Sequence, residues 1–382
     1  MIYFLLFIIT LISALTKKNS VIEDNFNYYF LLVLFILMAA LRFRVGGDSL
    51  GYADDFASLP TLSQLSTFNF HDAQYDPLWY VFNAMVKSIY NDFIFFQFVE
   101  AVIVNSIVFF IIKKYSKFKY WTLLFYFFLY YLYFNMEILR ESLAVCVFLL
   151  SLPFLLKKKW IIYYLFAYLA FSFHSSSLVL FFLPFMYRKL KLKYYIIILG
   201  VLVLVTFYIT PFIFFSNFYV SDRIYNKALS YTNKDINVFG ILMELIAILP
   251  VIGFQRIRKL NKMEKHRFEY LMTAYILIGL LSLAVAGFYR FLNYLSICSL
   301  IYMVDTFMVI YKNKIHFYKS LIFVNSFVFL ILFYQGFYML RDTSRYQPDT
   351  HFYNTYLPYH SIFDRTVDMQ RENLYFKSMN VR

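Results

Sequence analysis

Charged residues are scarce in this chain of 382 residues, and apolar ones dominate it. Only 15% of the residues are Asp, Glu, Lys or Arg, whereas 62% are hydrophobic and 23% are aromatic. A soluble protein of this composition would have too little polar surface to cover its core. The apolar runs are repeatedly about 20 residues long, which is enough to cross a bilayer as a helix. The composition therefore predicts an all-α integral membrane protein.

Cysteine is nearly absent, and the two that occur, Cys146 and Cys298, lie inside apolar runs, so no disulfide is expected. The sequence contains no C-x-x-C or H-E-x-x-H spacing, no P-loop and no dinucleotide fingerprint. We therefore expect neither a metal site nor a cofactor. The net charge is +14, but the basic residues occupy short loops between apolar runs, so no nucleic-acid partner is expected.

Lys and Arg outnumber Asp and Glu by 36 to 22, and their positions predict the topology. Basic loops remain on the cytoplasmic side of a membrane. Six clusters are assigned there: 17–18, 113–119, 157–159, 188–193, 256–267 and 312–319. The runs between them predict about twelve spans (11–13) with both termini outside, at 2–16, 26–43, 93–112, 120–136, 138–156, 160–174, 175–187, 194–214, 237–255, 269–287, 291–310 and 319–337.

These spans form a single transmembrane domain over residues 1–337. Residues 77–90 are also apolar, but a crossing there would move the next basic loop outside, so they are predicted to form an interfacial half-helix. The larger outer segments are the loops at 44–76 and 216–236 and the tail at 338–382. In that tail the run ENLYFKS resembles a protease-recognition tag with one residue altered, so residues beyond 370 receive no functional weight.

The first candidate site motif follows the second span and reads LRFRVGGDSLGY. Arg42 and Arg44 offer planar guanidinium groups that suit phosphate oxygens, and Gly47 lets backbone N–H groups approach the same anion. Asp48 is a candidate general base. The alternative interpretation is a helix-end anchor followed by an ordinary turn.

The second motif, NMEILRESLAV, stands at the entry to a span. Glu137 and Glu141 are separated by about one helical turn, with Arg140 between them, so the three could share a face. The alternative is a self-neutralising charge cluster at the membrane edge. The predicted topology places Arg140 on the same side as the first motif.

The third motif, FHSSS, connects two spans. His174 can accept a proton near neutral pH, and Ser175 can cap a helix or donate to a ligand. The alternative is an interfacial histidine followed by an N-cap. A Ser/His nucleophile is not supported, since no G-x-S-x-G elbow is present.

The fourth motif, GFYRFLNY, supplies a further outer-side arginine, Arg290, between Tyr289 and Tyr294. These tyrosines suit sugar and diphosphate, or else belong to an aromatic belt. Four separate helix ends are predicted to bring arginines and a histidine to one membrane face, where the topology rule disfavours cations. This convergence predicts a functional site on that face. Glu100, Glu244 and Asp305 lie nearer span interiors and are assigned to packing, with a proton-relay or ion site as the alternative.

Taken in order, these motifs resemble those of EpsG-type, Wzy-like polysaccharide polymerases. The resemblance covers roughly 42–359 and includes R-x-R-V-G-G-D-S-x-x-Y, which ends at Tyr52, the Asp76–Pro77 pair, I-L-R-E-S-L-A, F-H-S-S-S, the Arg290 element and Y-L-P-Y at 356–359. Asp76 stands where Glu is expected, and Glu141 where Gln is commoner.

The resemblance implies a bacterial inner-membrane glycosyltransferase with its active site facing the periplasm. It would move a growing chain from undecaprenyl diphosphate to a sugar hydroxyl of the next lipid-linked repeat unit, for O-antigen, lipopolysaccharide, capsule or exopolysaccharide. Lipid-linked oligosaccharide would be donor and acceptor, membrane lipid would surround the protein, and a chain-length regulator and a flippase would be partners.

The resemblance also assigns roles without a metal. Arginines would bind the diphosphate, and the base would be Asp48 or His174, ahead of Glu137. The implied diphosphate ligands are Arg42, Arg44, Arg140 and Arg290, and the implied substrate-binding residues are Gly47, Tyr52, Asp76, Glu141, Ser175, Tyr289 and Tyr294.

Three other functions compete with the polymerase. A flippase would need a central cavity open to both sides. A membrane O-acyltransferase would need a supported histidine with a donor route from the cytoplasm. An O-antigen ligase differs only in its acceptor, but ligases usually carry a dominant outer loop late in the chain, whereas the longest internal loop here comes early.

Overall fold

The computed structural model describes residues 2–70, 73–186, 238–283, 288–312 and 352–380. The α-helices among them are α1 (Ile2–Leu15), α2 (Val21–Ala40), α3 (Asp48–Phe56), α4 (Pro77–Ile89), α5 (Phe93–Tyr115), α6 (Lys119–Tyr126), α7 (Leu132–Met136), α8 (Leu139–Leu156), α9 (Trp160–Phe173), α10 (Leu183–Met186), α11 (Val238–Leu260), α12 (Glu269–Ser282), α13 (Tyr289–Lys312) and α14 (Met369–Asn380). A π-helical turn at Phe127–Tyr131 joins α6 to α7, and a 3₁₀-helix at Ser175–Phe182 precedes α10.

Four of these helices, α2, α5, α8 and α13, are long and apolar enough to cross a membrane. They coincide with predicted spans, and α5 extends the predicted 93–112 to Phe93–Tyr115. The shorter apolar helices α1, α9 and α12 have 14 residues each. The prediction of a helical, polytopic membrane protein is confirmed. The count of twelve spans stays a prediction, because the spans at 194–214 and 319–337 and the loop at 216–236 lie outside the described residues.

The chain divides into two compact units. The first unit comprises Met1–Phe154, Ile161–Ser177 and Val324–Arg382, and the second comprises Leu155–Trp160 and Leu178–Phe323.

Aromatic side chains hold the first unit together where α2 packs on α5. Phe35 is fully buried, and its ring centroid lies 4.8 Å from that of Tyr131 and 5.2 Å from that of Phe109, both edge to face. The hydroxyl of Tyr28 donates to the Phe109 carbonyl at 2.7 Å, and that of Tyr131 donates to the Phe35 carbonyl at 2.5 Å. Because each ring packs and each hydroxyl is satisfied, the high aromatic content forms a dense core.

One end of the first unit is basic. Lys119 forms an ion pair with Asp24 at the start of α2. Lys113 donates to the Asn25 side chain at 2.7 Å and lies 4.5 Å from the ring centroid of Tyr29. Lys113 and Lys119 of the basic loop at 113–119 therefore lie at the N-terminal end of α2, whereas the loop that follows α2 begins at its C-terminal end.

The segment predicted as a half-helix forms α4, which has 13 residues and is about 20 Å long. Its buried Lys87 closes the end of α3, because the ammonium group donates to the carbonyls of Phe56, Ala57 and Leu59 at 3.0, 2.9 and 2.7 Å. The carbonyls after α3 thus receive a charged donor, as a helix C-terminus favours.

In the second unit α11, α12 and α13 pack together through a buried polar cluster. Arg258 donates to the Thr306 hydroxyl at 3.0 Å and lies 3.6 Å from the Glu269 carboxylate. Asp305, assigned to packing, has His266 as a partner, with 3.4 Å between the Oδ2 and Nε2 atoms. This cluster joins α13 to the basic segment between α11 and α12.

We expect Lys87→Met to destabilise the protein, because three carbonyls at the end of α3 would lose their donor. The loss should be roughly 1–3 kcal/mol in the free energy of unfolding. Thermal unfolding in detergent measures it, with the exposed Lys157→Met as the matched control. Equal stability of the two variants would contradict the capping role.

Candidate active site

The turn between α2 and α3 is built around two glycines. Gly46 has a φ of 109°, and a Cβ at Gly47 would lie 2.5 Å from an oxygen of Glu137. The Glu137 carboxylate accepts from the Gly47 N–H at 2.7 Å and from the Asp48 N–H at 3.2 Å. The N–H groups predicted to bind a phosphate therefore bind a carboxylate of the protein, at the positive end of α3.

Glu137 lies between helices, and its environment changes its proton affinity. Partial burial and the neighbouring charge of Asp48 raise the pKa of Glu137 to about 7, against the opposing hydrogen bonds from the Gly47 and Asp48 N–H groups and the Tyr356 hydroxyl. A carboxylate with a pKa near neutrality beside a second carboxylate is suited to general acid–base chemistry. The predicted common face is not formed: α7 ends before Glu137, and Glu141 is buried at 2% exposure on α8.

Arg44 pairs with carboxylates of the protein. Its Nε and Nη2 atoms donate to the two oxygens of Glu372 at 2.6 and 2.8 Å, and its Nη1 atom donates to Asp54 at 3.0 Å. The bidentate hydrogen bond with Glu372 raises the pKa of Arg44 further above its usual range. As a diphosphate ligand, Arg44 would have to exchange these partners.

Arg42 lies in the core of the first unit and is 1% exposed. Its guanidinium donates to the Ala39 carbonyl, while Gln97 donates to the carbonyls of Ala40 and Arg42 at 2.7 and 2.8 Å. Among the described residues, the Nε and Nη2 atoms of Arg42 have no hydrogen-bond partner. The predicted role of Arg42 at the diphosphate remains a prediction.

Arg140, at the start of α8, is held by aromatic and acidic side chains. Its Nε atom donates to the Tyr52 hydroxyl at 3.1 Å, and its guanidinium carbon lies 4.4 Å from the ring centroid of Tyr75. Its Nη1 atom lies 3.9 Å from an Asp76 oxygen, which is beyond hydrogen-bond distance. The side chain keeps 15% exposure, so the group is oriented and still reachable.

Asp76 connects Arg140 to the FHSSS motif. The oxygen near Arg140 also accepts from the Ser175 N–H at 3.2 Å. His174 is buried, and its Nδ1 atom lies 2.6 Å from the Ser176 hydroxyl. The motifs around Tyr52, Asp76, Arg140 and Ser175 therefore meet in the first unit.

The fourth predicted motif lies in the second unit. Arg290, Tyr289 and Tyr294 stand at the start of α13, where Tyr289 is exposed and Tyr294 is buried. Their predicted contributions to the site remain predictions.

No individual role at the site was predicted from the sequence for Tyr75, Tyr356, Arg371 or Glu372. Tyr356 belongs to the Y-L-P-Y motif, which was the available signal. Glu372 begins the tag-like run, yet it is 7% exposed and binds Arg44. Arg371 and Glu372 are thus part of the folded first unit.

The described residues define a class: a helical, polytopic membrane protein in which ends of several helices gather arginines and carboxylates. The sequence matches the EpsG family over residues 25–361, which is most of the chain. The protein therefore belongs to the EpsG family, a family of Wzy-like polysaccharide polymerases, and the resemblance stated from the motifs is confirmed. No curated protein and no solved structure matches the chain.

We expect Arg44→Gln and Glu372→Gln to be coupled in stability, because each removes the same bidentate pair. A double-mutant cycle of thermal unfolding in detergent should give a coupling of about 1–2 kcal/mol. The pair of Arg44→Gln with Asp54→Asn, joined by one hydrogen bond, should couple less. Additive effects of Arg44→Gln and Glu372→Gln would show that the ion pair does not form.

Proposed function

We propose that this protein polymerises lipid-linked oligosaccharide repeat units on the periplasmic side of the bacterial inner membrane, within a fold of about twelve spans. It transfers the growing chain from undecaprenyl diphosphate to a sugar hydroxyl of the next unit. Membership of the EpsG family supports a polysaccharide polymerase in general. The observation that carries the finer proposal is the Glu137 carboxylate, which accepts from the glycine turn, is influenced by the charge of Asp48, and precedes the oriented Arg140 by three residues.

Glu137 takes the role of general base in this proposal. Its pKa of about 7 lets it be largely charged slightly above neutral pH and still bind a proton from the acceptor. Asp48 keeps that pKa high through its own charge. His174, ranked above Glu137 from the sequence, is buried and contacts Ser176, which gives less support to its acting as the base.

Arg140 is the first diphosphate ligand. It keeps some exposure and is oriented by Tyr52 and Tyr75, whereas Arg42 is buried and Arg44 is bound by two carboxylates. A planar guanidinium fits two phosphate oxygens and stabilises the charge that develops on the leaving group. The proposal uses no metal ion.

The reaction is a single displacement at the anomeric carbon of the donor chain. The acceptor hydroxyl oxygen forms a bond to that carbon, and the bond from the carbon to the diphosphate oxygen breaks. The bonding electrons leave with the lipid diphosphate, whose negative charge Arg140 stabilises. Glu137 takes the proton of the acceptor hydroxyl and later releases it to water.

We expect Arg140→Ala to abolish polymer, because the leaving diphosphate would lose its charged partner. The measurement is a gel of surface polysaccharide from a deletion strain complemented with each variant, with protein levels checked by blotting. The exposed Arg365→Ala is the matched arginine control and should restore a full ladder.

In the same experiment the deletion strain discriminates between functions. If the deletion strain shows only lipid core that carries a single repeat unit, in place of the long ladder, polymerisation is supported. If no repeat unit is attached to the lipid core, a ligase or a flippase is indicated. A full ladder from Arg140→Ala would contradict the assigned role of Arg140.

We expect the polymerisation rate to rise as pH increases through about 7, because a general base acts in its deprotonated form. This rise is the acidic limb of the pH–rate profile. In Asp48→Asn the acidic limb should lie roughly one pH unit lower, since the charge that raises the Glu137 pKa is removed. The assay uses purified protein in nanodiscs and lipid-linked units extracted from the deletion strain. An unchanged limb in Asp48→Asn would contradict the coupling, and complete loss of activity there would make Asp48 the better base.

A further inference from the structure

The C-terminal segment, residues 352–380, crosses the turn that carries the candidate site. Its backbone pairs with the strand-like stretch after α2: the Phe43 N–H donates to the His360 carbonyl and the Ile362 N–H donates to the Leu41 carbonyl, both at 2.9 Å. The Gly46 N–H donates to the Thr355 carbonyl at 2.9 Å. The two sides of the glycine turn therefore face different partners, Thr355 through Gly46 and Glu137 through Gly47.

Arg371 fastens this segment. It is 1% exposed, and its guanidinium donates to three carbonyls: Asn354 at 2.7 Å, Arg44 at 3.0 Å, and Pro358. One of these carbonyls belongs to the turn, and the other two flank Tyr356. A rigid fork of this kind fixes the two pieces of chain relative to each other.

Tyr356 lies between these fastenings and reaches Glu137. It is 3% exposed and packs against Val45 and Met136. Val45 directly precedes the glycine turn, and Met136 directly precedes Glu137. The Tyr3 hydroxyl donates to the Tyr356 carbonyl at 3.0 Å. The Tyr356 hydroxyl forms a side-chain hydrogen bond with the Glu137 carboxylate. The carboxylate therefore receives a donor from the C-terminal segment in addition to two from the turn.

We propose that Tyr356 is a positioning residue for the base: its hydroxyl, held by the C-terminal segment through Arg371, orients the Glu137 carboxylate. This inference rests on the proposed function, because it requires Glu137 to be the base. It gives residues 352–380 a part in catalysis, although Arg371 and Glu372 lie beyond the end of the family match at residue 361. A hydrogen bond to a carboxylate stabilises the charged form, so its loss makes the proton harder to remove.

The test is the acidic limb of the pH–rate profile in the nanodisc assay with extracted lipid-linked units. Tyr356→Phe keeps the ring and removes the donor, so the limb should move up by about one pH unit and the rate below the limb should fall roughly tenfold. Tyr359→Phe is the matched control. The Tyr359 hydroxyl donates to the Met38 carbonyl at 2.9 Å and not to Glu137, so its limb should stay at the wild-type position.

A second variant keeps the test decisive if Tyr356→Phe does not fold. Arg371→Lys replaces the fork by a single ammonium group and loosens the segment, so its limb should move in the same direction by a smaller amount. Thermal unfolding of each variant accompanies the profile. A lower rate with an unmoved limb in both variants would show that the segment acts on stability alone and would overturn the proposal.

Glu137→Gln separates this proposal from the proposed function. If Glu137→Gln polymerises normally, Glu137 is not the base, and the inference about Tyr356 falls with that assignment while a polymerase remains. If Glu137→Gln is inactive and the limb of Tyr356→Phe is unmoved, the base stands and the positioning role is wrong.

Discussion

The contact of the Glu137 carboxylate with the N-terminus of α3 is the interaction on which the rest of the candidate site depends. It brings together the glycine turn, the break between α7 and α8, and the C-terminal segment, which are far apart in sequence. The two N–H groups and the helix dipole stabilise its charge, while burial and Asp48 oppose it. This balance raises the pKa of Glu137, and the proposed role as a general base depends on that shift.

Three described cations, Arg44, Arg140 and Lys87, are each oriented by partners within the chain. Arg44 has Glu372 and Asp54, Arg140 has tyrosines and Asp76, and Lys87 has three carbonyls. Withdrawing a charge from water is costly unless it is paired. In the proposed function an incoming diphosphate would therefore meet Arg140 with its geometry already fixed, which is the arrangement that electrostatic stabilisation of a leaving group requires.

The sequence was sufficient to predict the four long apolar helices but not α3, α14 or the contacts between helices. Apolar runs and basic loops are local features, so α5 begins at the predicted Phe93 and α8 begins one residue after the predicted 138. The occupant of the glycine turn was not predictable, since Gly47 and Glu137 are 90 residues apart. Helical periodicity placed Glu137 and Glu141 on one face, but the helix breaks at Glu137. No function was predicted for Arg371 and Glu372, because the run ENLYFKS, which begins at Glu372, resembles a protease-recognition tag.

The most direct test of the central claim is the titration of Glu137 itself, measured as the protonated-carboxyl band in the infrared difference spectrum between wild type and Glu137→Gln in nanodiscs. The account predicts a band that disappears with a midpoint near pH 7. A midpoint close to the ordinary glutamate value of about 4.3 would show that neither burial nor Asp48 tunes this carboxylate, and it would contradict its assignment as the base.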